Sequence, residues 1–200
     1  MDNKELKIMK AIKEAIQASI NTKYLLLKDE SLLWAIQQSA AAIEKCLRND
    51  GKVLFCGNGG SAADAQHLAA EFTGRFYYDR DPLFAEALHV NTSYLTAVGN
   101  DYSFGEVYSR LVKAKGRPGD VLVGLSTSGN SENIVKAFTE ARGAGMVTIA
   151  LTGEGGGELK NMAGILLAMP STDTPRIQEA HILAGHIICE LVEKQMFPKP

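Results

Sequence analysis

His67 and Glu71 stand four residues apart in a run, Ala62 to Phe72, that reads as helix, so both side chains project from one face. A second polar set lies far down the chain, where Gln178, Glu179, His181 and His186 are spaced among Ile177, Ile182, Leu183, Ile187 and Ile188. At ~100° per helical residue, Gln178 and His186 fall within about 80° of each other and can converge on one ligand. His181 sits on the other flank. Imidazole, carboxylate and amide groups are ligands that Zn²⁺ accepts, and Glu and His are also the proton carriers of acid–base catalysis. One helical His is ordinarily a surface or core residue. The combination carries the signal, although its spacing is not that of HExxH.

Two Gly/Ser-rich loops supply a different chemistry. Gly57-Asn58-Gly59-Gly60-Ser61 follows an apolar strand, Lys52 to Cys56, and Ser126-Thr127-Ser128-Gly129-Asn130-Ser131 follows another, Val121 to Leu125. Each loop opens a helix, whose free amides and dipole favour a bound anion. Ser126, Thr127, Ser128 and Ser131 add hydroxyls, and Gly129 lets the backbone turn closely around a guest. Phosphate is the natural guest. No Gly-Lys-Ser/Thr follows either loop, which removes the lysine of a nucleoside triphosphatase P-loop. Gly57 to Ala62 does fit the loose G-x-G-x-x-A dinucleotide fingerprint, but the next strand ends His89-Val90-Asn91, with no carboxylate for a ribose. A dinucleotide-binding oxidoreductase is therefore the structural runner-up. A neutral, hydroxyl-lined cradle suits a small sugar phosphate.

The elements that must position these groups follow from periodicity. Leu6, Met9, Ile12, Ile16 and Ile20 form one apolar helical stripe, and a second helix begins near Asp29 or Ser31 and stops at Asn49-Asp50-Gly51. This hairpin can cover a sheet or pack against a copy of itself. From Lys52 onward strands alternate with helices: strand candidates are Lys52 to Cys56, Phe84 to Val90, Val121 to Leu125, Met146 to Leu151 and Ile165 to Met169. The intervening helices are expected at 62–72, 103–115 and 132–143, a Gly-rich loop at 153–157, and a last helix from Pro175 to about Glu193. The predicted fold is α/β: a doubly wound parallel five-stranded sheet flanked by helices, with an N-terminal helical hairpin. One domain spans 1–200, with 1–50 as helical extension and 51–200 as α/β core.

Composition sets the outer bounds. The chain has 200 residues, 46% hydrophobic and 22% charged, and its 21 Lys plus Arg against 23 Asp plus Glu leave a formal charge of −2. That balance does not suit a domain holding nucleic acid by counterion release. No apolar run approaches the ~18 residues of a membrane span, and MDNKELK lacks the order of a signal peptide, so a cytoplasmic protein is expected. Cys46, Cys56 and Cys189 are widely spaced and read as buried apolar residues rather than a disulfide framework or a zinc site.

Four segments together resemble a known family, the sedoheptulose-7-phosphate (phosphoheptose) isomerases of the sugar-isomerase, or SIS, domain superfamily. They are CGNGGSAADAQHLAAEFTGR (56–75), AVGND (97–101), GDVLVGLSTSGNSENIVKA (119–137) and TPRIQEAHILAGH (174–186). STSGNS alone signals a sugar-phosphate SIS domain; the first and last segments are more specific. The resemblance implies that Asn58, Gly59, Gly60, Asn100 and Asp101 contact the sugar, with Ser61 a further contact. It implies that Ser126, Thr127, Ser128 and Ser131 hold the phosphate. It also implies one Zn²⁺ per subunit on His67, Glu71, Gln178 and His186, with Gln178 also facing substrate and His181 outside the ligand set. Glu71 and His186 would be the catalytic pair, and Arg75 would face substrate, a neighbouring subunit or a structural partner.

The implied activity is an aldose–ketose isomerisation of sedoheptulose 7-phosphate to D-glycero-D-manno-heptose 7-phosphate, feeding nucleotide-activated heptose for lipopolysaccharide core or another surface glycan. Homotetramers with active sites at subunit interfaces are implied as well. The rival is a non-catalytic SIS module that senses a sugar phosphate or binds the bacterial replication initiator. That branch keeps both loops but lacks the Glu and final His of the pair, and this chain has Glu71 and His186.

Overall fold

The computed structural model describes residues 2–199. Asp2 opens helix α1 (Asn3–Lys28) with a capping box: its carboxylate accepts from the Glu5 amide at 2.7 Å, and the Glu5 carboxylate accepts from the Asp2 amide at 2.8 Å. Of the two expected starts for α2 (Glu30–Arg48), Asp29 is the one used, accepting from the Leu32 amide at 3.0 Å. The stripe on α1 does not cover the sheet. Leu6, Met9, Ile12, Ile16 and Ile20 are each between 42% and 56% exposed.

Strands β1 (Val53–Gly57), β2 (Ala85–Ala87), β3 (Val121–Ser126), β4 (Val147–Thr152) and β5 (Ile165–Ala168) form a parallel sheet in the order β2-β1-β3-β4-β5. Alternation along the strands sends Val53, Phe55, Val123 and Leu151 to a core shared with α2, α3 (Gly60–Thr73) and the last helix, Thr174–Met196. Leu54, Cys56, Leu122 and Ala150 face the opposite core, under α4 (Thr92–Asp101), α5 (Ser109–Lys115) and α6 (Glu132–Gly143). Both faces are covered, which is why β1 and β3 are buried throughout and apolar up to Ser126 rather than alternating. The last helix, α7, opens with Pro175 in its first turn. Cys46, Cys56 and Cys189 are free and buried.

Three departures from expectation lie between β2 and β3. β2, an edge strand paired with β1 alone, spans Ala85–Ala87 rather than Phe84 to Val90. The chain then forms α4, which was not expected: Asn91 caps it by accepting from the Tyr94 amide at 3.1 Å, and Val98 packs inward. The helix expected over 103–115 is broken into a 3₁₀ turn, Phe104–Glu106, and α5. Ser109 turns its hydroxyl onto the Glu106 carbonyl and carboxylate at 3.2 and 2.9 Å, a local bond that competes with a continuous helix.

The strand order carries the functional consequence. After β1 the chain goes outward to β2, then returns to place β3 on the other side of β1. Ligands in open α/β sheets bind beyond the carboxyl ends of the strands at this reversal. The loops after β1 and β3 are the two Gly/Ser-rich segments.

Candidate active site

A cleft of about 340 Å³ opens between those loops, lined by Asn58, Gly59, Gly60, Ser61, Leu125, Ser126, Thr127, Ser131, Thr174 and Gln178. Ser126 Oγ and Ser131 Oγ are 2.9 Å apart, so one hydroxyl donates to the other and a hydrogen remains for a guest. Ser128 is exposed, accepts from the Asn130 amide at 3.2 Å, and is not among the cleft's lining residues. The loop is buttressed from behind by the Gly-rich segment after β4. Gly153 N donates to the Thr127 carbonyl at 2.9 Å, Leu159 N to the Gly129 carbonyl at 3.1 Å and Glu158 N to Asn130 Oδ1 at 2.8 Å. Gly129 has φ +68°, and a Cβ there would lie 2.1 Å from the Gly156 carbonyl oxygen, so the interlock requires glycine.

Beside the cleft, α3 and α7 bring three side chains together. Gly185 on α7 lies so close to Leu68 on α3 that a Cβ would come within 2.6 Å of the Leu68 methyls. This approach sets His186 against His67. Their Nε2 atoms are 2.9 Å apart, His67 Nε2 is 3.2 Å from Glu71 Oε1, and one donor atom from each of the three residues lies within 4.8 Å of the others. Zinc bonds of about 2.0–2.1 Å place tetrahedral nitrogen and oxygen ligands about 3.3 Å apart, so the set fits a metal ion. His186 is held below the ordinary imidazole range by burial first and His67 second, with Glu71 opposing. Its neutral form, the one that ligates a metal or accepts a proton, is favoured. The Phe76 ring, 5.7 Å from the His186 ring, forms an apolar neighbour. Gln178 lies two turns before His186, its amide against Gly60 in the cleft wall.

The remaining expected residues are more dispersed. Asn100 and Asp101 end α4, exposed and joined by a 2.9 Å hydrogen bond from Asn100 Nδ2, and do not line this cleft. Arg75 is exposed just beyond α3 and makes no salt bridge among the described residues. Several residues that hold the site were not singled out in the sequence. The buried Tyr108 hydroxyl donates to the Gly57 carbonyl at the end of β1. Asn133 pairs with Asn58 through two side-chain hydrogen bonds. Arg80 and Glu193 form a buried ion pair at 3.1 Å, and Arg80 also donates to the Glu71 carbonyl at 2.8 Å.

His181 is fully buried, with its Nε2 3.0 Å from the Thr152 carbonyl, to which the neutral ring donates. Burial pushes its pKa down to about 4, with the Thr152 bond opposing. The folded value lies below the unfolded one, so the contribution to stability is full above about pH 6.5 and is lost as pH falls towards 4. The expected loss is about 3 kcal/mol over that window. Urea denaturation of His181→Leu should show a flatter pH dependence there; the same slope in both proteins would refute the assignment.

The relatives of this chain point to one family. Residues 9–153 match the SIS domain family. The phosphoheptose isomerase of Clostridium acetobutylicum is 52% identical over 186 residues, covering 93% of this chain and 95% of that protein. That of Burkholderia pseudomallei is 49% identical over 199 residues, covering 100% of both. Among solved structures, the phosphoheptose isomerase of Neisseria gonorrhoeae superposes with a TM-score of 0.87 at 47% identity, covering 92% of this chain and 99% of that one. The Francisella tularensis enzyme gives 0.85 at 41% identity, covering 97% and 100%. By the family match, by identity over nearly its whole length and by its fold, the chain belongs to the phosphoheptose isomerase family of SIS-domain proteins.

Proposed function

We propose that this protein isomerises sedoheptulose 7-phosphate to D-glycero-D-manno-heptose 7-phosphate by proton transfer through an enediol, in the cytoplasm, supplying nucleotide-activated heptose for a surface glycan. The observation that carries the reading is the convergence of His67, Glu71 and His186 beside a hydroxyl-lined cleft at the sheet's reversal. The same convergence disfavours a non-catalytic sugar-phosphate module.

The roles follow from position and chemistry. Ser126, Thr127 and Ser131 of the cleft, with the amides opening α6, hold the phosphate, and Asn58, Gly59 and Gly60 contact the sugar; the family resemblance adds Ser128 to the first set and Asn100 and Asp101 to the second, from outside the cleft lining. Glu71 removes a proton from C1 of the open-chain ketose and returns it to C2. His186 gives a proton to the C2 oxygen and takes one from the C1 oxygen, so the proton count closes at the aldose. His67, Glu71, Gln178 and His186 would hold one zinc ion, which when bound polarises the carbonyl and stabilises enediolate charge. A carboxylate has two oxygens, so Glu71 can ligate with one and act as base with the other. The exposed stripe on α1 supports assembly through the helical hairpin, and a homotetramer is the proposed state.

The phosphate lies far from the bonds that change, so its contacts act mainly on binding. Ser126→Ala should raise KM for the heptulose phosphate about 10-fold with little change in kcat, the effect of one hydrogen bond to a charged group. An unchanged KM would move the phosphate elsewhere. The function itself is tested by incubating the protein with sedoheptulose 7-phosphate before and after metal chelation. Aldose product that disappears with chelator and returns with zinc is expected. Binding of the sugar phosphate without turnover, in zinc-loaded protein, would select the non-catalytic module.

A further inference from the structure

We infer that Asn133 is a positioning residue for the sugar, acting through Asn58; the inference rests on the reading of Asn58 as a sugar contact. Asn133 lies in the first turn of α6, is only 3% exposed and does not line the cleft. Its side chain reaches Asn58, 75 residues earlier in the chain. Asn58 Nδ2 donates to Asn133 Oδ1 at 2.8 Å, and Asn133 Nδ2 donates to Asn58 Oδ1 at 2.9 Å.

Each amide has two N–H donors and an oxygen with two lone pairs, and this cyclic pairing uses one of each. Asn58 keeps one N–H and one lone pair, and it is Asn58 that lines the cleft. Turning its amide over alone would set nitrogen against nitrogen and oxygen against oxygen, losing both bonds in a partly buried place. The backbone just before Asn58 is held separately by Tyr108 on the Gly57 carbonyl. The remaining freedom is in the Asn58 side chain, and Asn133 removes it. The free N–H and the free lone pair point to opposite flanks of the amide, and hydroxyls, which accept as well as donate, can serve either one. A polyol chain carries several. Asn133 also sits two residues after Ser131, so the pair ties the sugar loop to the phosphate loop beyond the carboxyl ends of the paired strands β1 and β3.

A double-mutant cycle separates this role from a general structural one. The variants are Asn133→Leu, similar in shape but without an amide, Asn58→Ala, and both together; Asn133→Ser replaces Asn133→Leu if the latter does not fold. Each single change should lower kcat/KM for sedoheptulose 7-phosphate about 10-fold, the scale of one or two oriented hydrogen bonds. The double variant should be no worse than Asn58→Ala, and the affinity for inorganic phosphate should stay within about twofold in all three. Multiplying losses, or phosphate affinity falling in parallel, would overturn the inference and leave Asn58 as a sugar contact. An unchanged kcat/KM in Asn58→Ala would overturn the reading of Asn58 and the inference with it.

Discussion

Glu71→Gln should lower kcat by at least about 10² while leaving the fold intact, because the change keeps shape and removes the only function Gln cannot supply, uptake of a carbon-bound proton. That fall corresponds to about 2.7 kcal/mol of transition-state stabilisation. Glu71 is partly exposed on α3, with His67 Nε2 3.2 Å from its oxygen, so neither packing nor a buried charge is at stake. His186→Ala should act differently, losing bound metal together with turnover, since it removes a member of the cluster rather than a base alone. Steady-state kinetics with metal content measured on the same preparations check both. Full turnover in Glu71→Gln would reject the base, and full zinc stoichiometry in His186→Ala would reject the ligand.

The largest expected loss of stability lies outside the cleft. Arg80 and Glu193 are each 2% exposed at the side chain and lie 3.1 Å apart. Glu193 also accepts from the Phe76 and Tyr77 amides at 3.0 and 2.8 Å, while Arg80 donates to the carbonyls of Glu71, Phe72, Gly74 and Asp81. Burial raises the Glu193 carboxyl pKa, but those two amides and Arg80 outweigh it and hold the group below the usual carboxylate range. Removing either partner leaves a buried charge with nothing opposite, so Arg80→Ala and Glu193→Ala should each cost about 3–5 kcal/mol. The depressed Glu193 value means that its contribution is present above the ordinary carboxylate range and fades as pH falls through it. Urea midpoints at neutral pH measure the effect, and a loss under about 1 kcal/mol would show that the pair is dispensable. Because Arg80 grips the last turn of α3, folded Arg80→Ala should also turn over more slowly, through displacement of Glu71.

What the sequence made legible was local. His67 and Glu71 could be placed on one face because a helix repeats every ~3.6 residues, and Gln178 and His186 could be placed on one side of α7 for the same reason. The serine loop announced itself by composition, and the sheet by apolar runs between helices. Sequence could not say that α3 and α7 would touch at Gly185 and Leu68, the contact that brings His186 to the His67 and Glu71 pair. Asn58 and Asn133, Tyr108 and Gly57, and Arg80 and Glu193 are partners far apart in the chain, and no periodicity marks such bonds. The Gly-rich segment was visible as glycine, but its partner, the back of the serine loop, was not. α4 did carry a signal, Asn91 as cap with Tyr94, Leu95 and Val98 spaced behind it, in a stretch to which no element was assigned.

The central claim is that Glu71 moves a proton between two carbons of a ketose phosphate. Zinc-loaded protein and its Glu71→Gln variant, each incubated with sedoheptulose 7-phosphate in D₂O and followed by NMR, test it directly. The account predicts that the parent protein forms a seven-carbon aldose phosphate and that the variant forms it at least about 10² more slowly. Aldose appearing at equal rates in both, or in neither, would contradict it.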